Sequence, residues 1–220
     1  MEHPANGKMH AYSQLQGGNT GSVYVVLDGS GGGSSYYNYK MLWEPWAGEA
    51  TIVTIDYLGY GMSESTNAER TVDNVVSEID TALSQTGIEG PYIFVSHSLG
   101  GFYTTGYSIK YPQKVAALIL LDNAIPDDVL SGGDAEMAGY KQARPLYMLL
   151  KYTGILRFMT DNSSTWLNEE EQKASTYFEI KMLLNRTIMN EIGNTANNAL
   201  YLDDQEVPPI NTRADLGLQI

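Results

Sequence analysis

The sequence predicts an α/β fold, a mostly parallel sheet with helices on both faces. Three observations carry this. Short β-branched apolar runs alternate with helix-period segments as far as Asn123. The segments that leave the strands are rich in Gly, Ser and Asp. From about Asp127 onward helical patterns dominate and no β-rich run follows.

Ser22-Val23-Tyr24-Val25-Val26-Leu27 reads as a buried strand that opens into the loop Asp28-Gly29-Ser30-Gly31-Gly32-Gly33-Ser34. Thr51 to Ile55 is a second strand, closed by Asp56-Tyr57-Leu58-Gly59-Tyr60-Gly61. Thr71 is placed to cap a helix whose Val72, Val75, Val76, Ile79 and Leu83 form one stripe, and Gly87 ends it. Tyr92 to Val95 is a third strand. A helix-like segment, Phe102 to Tyr111, follows it and stops at Pro112. Val115 to Leu121 is a fourth strand, closed by Asp122 and Asn123. Helical patterns then cover Glu136–Tyr152, Asn168–Leu184 and Thr187–Leu202, with three Glu in a first turn where the helix dipole favours them. This helical block is expected to be a lid over the sheet; the alternative is a set of helices that completes the core. The expected division is a core over residues 1–126, a helical cap over 127–203 and a return to the core over 204–220.

Composition narrows the function. The 220 residues suit one domain with an inserted subdomain, and 43% are hydrophobic, enough for a sizeable core. A net charge of −13 argues against nucleic acid and anionic membrane surfaces as partners. No apolar run approaches the ~20 residues of a membrane span. Met-Glu-His-Pro-Ala-Asn lacks the basic-then-apolar pattern of a secretory leader, so a soluble, cytoplasmic protein is favoured over an extracytoplasmic one. Zero cysteines exclude disulfides and thiolate chemistry. No cofactor and no metal are expected. The Gly29–Gly33 run lacks the Lys-Ser/Thr of a phosphate loop, and the Asp127-Asp128 and Asp203-Asp204 pairs lack the alternation of a calcium loop.

The stretch Ser96-His97-Ser98-Leu99-Gly100-Gly101 joins the third strand to a helix. A serine between small residues on such a turn has its hydroxyl raised above the sheet edge, with helix N–H groups aimed at nearby negative charge. In parallel sheets active sites lie at the carboxyl ends of strands. The glycine loop, the Asp56–Gly61 turn, Ser98 and Asp122 all fall at that end.

With those residues in view, the chain resembles the α/β-hydrolase family over most of its length. Leu27-Asp28-Gly29-Ser30-Gly31 resembles the His-Gly loop that gives half of an oxyanion hole, with Asp28 in the place of histidine. Asp56 to Ser63 is similar to the Asp-x-x-Gly-x-Gly-x-Ser loop. Pro91 to Gly101 resembles the nucleophile elbow, with Ser96 where glycine is usual. Tyr111-Pro112-Gln113-Lys114-Val115 and Leu120-Leu121-Asp122 resemble the following Tyr-Pro-x-x-Val segment and its strand. The resemblance is greatest to esterase, lipase and aminopeptidase-like members with a helical cap. It implies that Ser98 attacks an ester or related acyl carbonyl, that a histidine takes its proton, and that a carboxylate orients the histidine. It implies oxyanion donors at the N–H of Leu99 and at Ser30 or a neighbour. Asp122 is the candidate carboxylate, and Asp203 and Asp204 are further candidates.

The histidine is missing from its expected place near the C-terminus. The chain has only His3, His10 and His97. His97 is read as a packed elbow residue, and His3 and His10 precede the strands that carry the site. Val207-Pro208-Pro209-Ile210 begins like another strand, but a polar segment to Ile220 follows. The family's last two strands, roughly 60 residues of βα units, are therefore expected to be absent. The expected function is a serine hydrolase for small acyl substrates, crippled without its histidine. The alternative is a non-catalytic protein of the same fold that binds a small apolar ligand or acts as a scaffold. Self-association through an exposed sheet edge is also expected.

Overall fold

A computed structural model describes residues 8–14, 21–159 and 164–207. The ends of the chain, with His3 and the strand-like Pro208-Pro209-Ile210, lie outside the described residues.

Among the described residues five strands form one sheet in the order β1-β3-β2-β4-β5. They are β1 (His10–Gln14), β2 (Val23–Leu27), β3 (Thr51–Asp56), β4 (Tyr92–Ser98) and β5 (Val115–Asn123). The pairings β2–β3, β2–β4 and β4–β5 are parallel, and β1 runs antiparallel along β3 with His10 opposite Asp56. Among the described residues, β1 is the one strand that the sequence reading missed. Its segment His-Ala-Tyr-Ser-Gln has little apolar character, so it becomes a strand only by pairing with β3. Strands β4 and β5 also run two to three residues beyond their apolar stretches, because the parallel ladder continues through Ser98 and Asn123.

Between the strands lie the short helices α1 (Ser35–Asn38) and α2 (Lys40–Trp43), then α3 (Val72–Thr86) and α4 (Gly100–Lys110). The Thr71 hydroxyl accepts from the Asn74 N–H, and Gly87 closes α3 in the left-handed conformation, φ 71°. Strand alternation divides the core. Val23, Val25 and Leu27 of β2 pack with Val75, Val76, Ile79 and Phe102 on one face. Val26 packs with Trp43, Ala47 and Ile52 on the other. Gly106 permits α3 and α4 to cross closely, since a Cβ there would lie 2.2 Å from Val72 Cγ1.

After β5 come α5 (Pro126–Tyr152), α6 (Leu156–Met159), α7 (Glu169–Met182) and α8 (Arg186–Asp203). A reciprocal capping box between Asn168 and Glu171 starts α7. No helix among the described residues is long and apolar enough to cross a membrane.

Helix α8 is fastened to the loop between β3 and α3. Asn185 Nδ2 donates to the Gly59 carbonyl, and Thr187 Oγ1 exchanges bonds with Thr66 N–H and C=O. Asn190 accepts from the Arg70 N–H, and Asn198 accepts from Val72 N–H while donating to the Arg70 carbonyl. These side chains replace the β-ladder or helix partners that a loop backbone lacks.

Candidate active site

Ser98 ends β4 and has φ 49°, a region that non-glycine residues enter only under constraint. Leu99 is already helical, φ −60°, and α4 begins at Gly100. The bend is held by close backbone approaches. A Cβ on Gly29 would lie 2.7 Å from Ser98 Cβ, one on Gly100 2.7 Å from the Asp28 carbonyl oxygen, and one on Gly101 2.4 Å from Asn123 Nδ2. The glycine loop thus passes directly against the serine turn. Below the turn, Ser96 Oγ receives the Asn123 amide at 2.9 Å and meets Thr104 Oγ1 at 3.1 Å. The hydroxyl at the position where the family usually has glycine is therefore absorbed in a buried polar cluster.

Two carboxylates organise the loops. Asp56 accepts from Ser34 Oγ, Ser35 N–H and Met62 N–H, tying the glycine loop to the Tyr57–Gly61 turn. The Gly61 N–H bonds to the Gly33 carbonyl at 2.8 Å. Asp28, 4% exposed, accepts from Gly29 N–H, Asn38 Nδ2 and Tyr39 Oη. Burial pushes its pKa up to about 6 despite these three bonds. Burial likewise raises the pKa of Asp56.

Ser98 opens into a cavity of about 450 Å³. Ser30, Gly31 and Leu99 line it from the core side, and Val129, Leu184, Ile188 and Ile192 are among the apolar side chains that line it from α5, α8 and the segment between α7 and α8. Three of the expected residues, Ser30, Ser98 and Leu99, therefore meet at one cavity. The others do not join them. Asp122 is exposed, has φ 46° and falls at a register shift, so that Ser98 pairs with Asn123 instead. Asp203 and Asp204 are exposed at the end of α8. His97 lies in β4 beside Gly29 and Tyr39, with ring centroids 6.3 Å apart in the latter case. His10 is exposed on β1, its N–H bonded to Ser63 Oγ. No described histidine lines the cavity. A larger cavity, about 790 Å³, lies among α5, α6 and α7 and contains none of these groups.

One residue at the site escaped the sequence reading. Glu191 of α8, 1% exposed, accepts from Ser30 Oγ at 3.2 Å, from Tyr103 Oη at 2.7 Å and from Tyr60 Oη. A glutamate in an Asn- and Thr-rich helix gives no sequence signal of burial, and its partners are 88 to 161 residues away.

Comparison with known proteins fits this geometry. The family model of the alpha/beta hydrolase fold matches residues 25–180. The chain belongs to the α/β-hydrolase fold family. It is 26% identical over 199 residues to YbdG, an uncharacterized protein of Bacillus subtilis (strain 168), covering 87% of this chain and 59% of YbdG. It is 38% identical over 102 residues to the mouse (lyso)-N-acylphosphatidylethanolamine lipase, covering 44% of this chain and 29% of the lipase. It thus spans less than two thirds of either relative. Among solved structures, Cfl2 from Burkholderia cenocepacia superposes with a TM-score of 0.66 at 15% identity, covering 91% of this chain and 71% of Cfl2. The epoxide hydrolase VrEH1 from Vigna radiata superposes with a TM-score of 0.63 at 16% identity, covering 90% and 73%.

Proposed function

We propose that this protein is a serine hydrolase whose Ser98 attacks the carbonyl of a small carboxylic ester or related acyl compound. The observation that carries the reading is the strained Ser98 at the mouth of an apolar cavity, with the glycine loop packed against it. The Leu99 N–H and the Ser30 region are the donors for the developing oxyanion, and the apolar wall is the acyl site. Residues 127–203 act as the cap, since Val129, Met182, Leu183, Leu184, Ile188 and Ile192 supply most of that wall.

The proton of Ser98 needs an acceptor. Without an imidazole the hydroxyl is a weak nucleophile, and a loss on the order of 10⁶ in turnover is the scale that removing such a base produces. The 220-residue chain by itself is therefore a feeble catalyst in this reading. A fluorophosphonate probe tests it. Ser98 becomes labelled, most readily when a polypeptide bearing a histidine completes the site, and Ser98→Ala abolishes the label. Labelling that survives the substitution removes Ser98 from the mechanism. No labelling under any condition favours a non-catalytic protein that binds an apolar ligand.

A further inference from the structure

The carboxylate of Glu191 sits where three segments of the site converge. Ser30 belongs to the glycine loop, Tyr60 to the turn after β3, and Tyr103 to the helix that follows Ser98. These segments come from three different βα connections and share no backbone ladder. Glu191 reaches them from α8, which the four side chains Asn185, Thr187, Asn190 and Asn198 already hold to the β3–α3 loop. The Glu191 anchor is thus fixed, while Ser30 itself is exposed in the open cavity.

We infer that Glu191 is a positioning residue that holds the Ser30 loop in register with the Ser98 turn. This inference rests on the reading of Ser98 as the nucleophile for its meaning, but not for its test. A carboxylate can accept four hydrogen bonds and donates none when ionised, so it suits three converging hydroxyl groups. Burial and the Glu191 charge keep Tyr60 and Tyr103 protonated well above the usual tyrosine range, so both remain donors at any ordinary pH. Arg70 feels the Glu191 charge but makes no hydrogen bond to it; its Nη1 bonds Glu78 at 2.8 Å, while Nε and Nη2 have no hydrogen-bond partner among the described residues. The hydroxyl groups of Ser30, Tyr60 and Tyr103 are what Glu191 organises. With Ser30 Oγ drawn toward α8, the loop backbone is held in place where Gly29 abuts Ser98. The loop is held at its start by Asp28, toward Asn38 and Tyr39, and at its end by the Gly33 carbonyl and Ser34, toward the Gly61 N–H and Asp56; Ser30 toward α8 is the hold between them.

The test is amide hydrogen exchange on the full chain, wild type against Glu191→Gln and Glu191→Leu. Glutamine keeps the shape but replaces one acceptor with a donor; leucine keeps the volume and removes both acceptors. The expected result is exchange in residues 28–33 that rises about tenfold or more in each folded variant, with β3 and α3 unchanged, as local opening without global unfolding requires. Exchange in that loop equal to wild type in Glu191→Gln overturns the inference, even if Glu191→Leu fails to fold. A uniform rise across the whole chain also overturns it, because that marks a packing role alone. If wild type takes up the fluorophosphonate, Glu191→Gln slows labelling by a similar factor. If wild type takes up none, even with a histidine-bearing polypeptide present, the Ser98 reading fails while the exchange result still decides the role of Glu191.

Discussion

Asn123 stands opposite Ser98 in the β4–β5 ladder, and Asp122 is the residue stepped over to put it there. The shift turns Asn123 inward to bond Ser96 Oγ and leaves Asp122 exposed with φ 46°. Asn and Asp adopt that conformation more readily than other side chains, which gives Asp122 a backbone role. Asp122→Gly is therefore expected to be neutral or slightly stabilising, and Asp122→Val to cost about 1–2 kcal/mol. Chemical melts of both variants check this. Fluorophosphonate labelling of Asp122→Gly is expected to stay within about twofold of wild type; a loss of about 10² or more makes Asp122 the carboxylate of the site.

Asp28 gives the protein a pH signature. Its folded pKa, about 6, lies above the ordinary aspartate value of 3.8, so the folded state binds this proton more tightly than the unfolded chain does. The associated stability is present below pH 4 and is lost as pH rises through 6. Between pH 5 and pH 7.5 the loss from this group is about 1.4 kcal/mol. Asp28→Asn removes it. The stability difference between variant and wild type should therefore move in favour of the variant by about that amount on going from pH 5 to pH 7.5. Urea melts at the two pH values measure it, and because the other buried carboxylates are common to both proteins they cancel. An unchanged difference shows that Asp28 keeps an ordinary pKa.

Among the described residues β5 pairs on one side only, with β4, and its Ile119 and Leu120 are 41% and 51% exposed. An apolar hollow of about 340 Å³ adjoins it, lined by Trp43, Trp46, Val95, Ile119 and Leu121 among others. Unpaired edge strands with apolar flanks recruit other chains. The 220-residue chain is expected to self-associate, and Leu120→Lys to shift it toward monomer, because a charged edge side chain disfavours pairing. Sedimentation velocity of both proteins over a concentration series measures this. A wild-type chain that remains monomeric throughout refutes it.

The order of strands and helices was legible because it depends on local patterns. Val25, Val53 and Phe94 lie in apolar runs bounded by glycine or aspartate, and Val72, Val76 and Leu83 recur at helical spacing. Ser98, Leu99 and Ser30 were legible because the serine turn and the glycine loop carry their own small residues. By itself the sequence determined the α/β class and the sharp turn on which Ser98 sits. Only the tertiary structure decided that His10–Gln14 is a strand, since its pairing with β3 is non-local. Only the fold put Asn123, and not Asp122, opposite Ser98, through a register that two strands fix together. The fold also buried Glu191 against Ser30, Tyr60 and Tyr103, because a carboxylate's environment is made by neighbours distant in the chain.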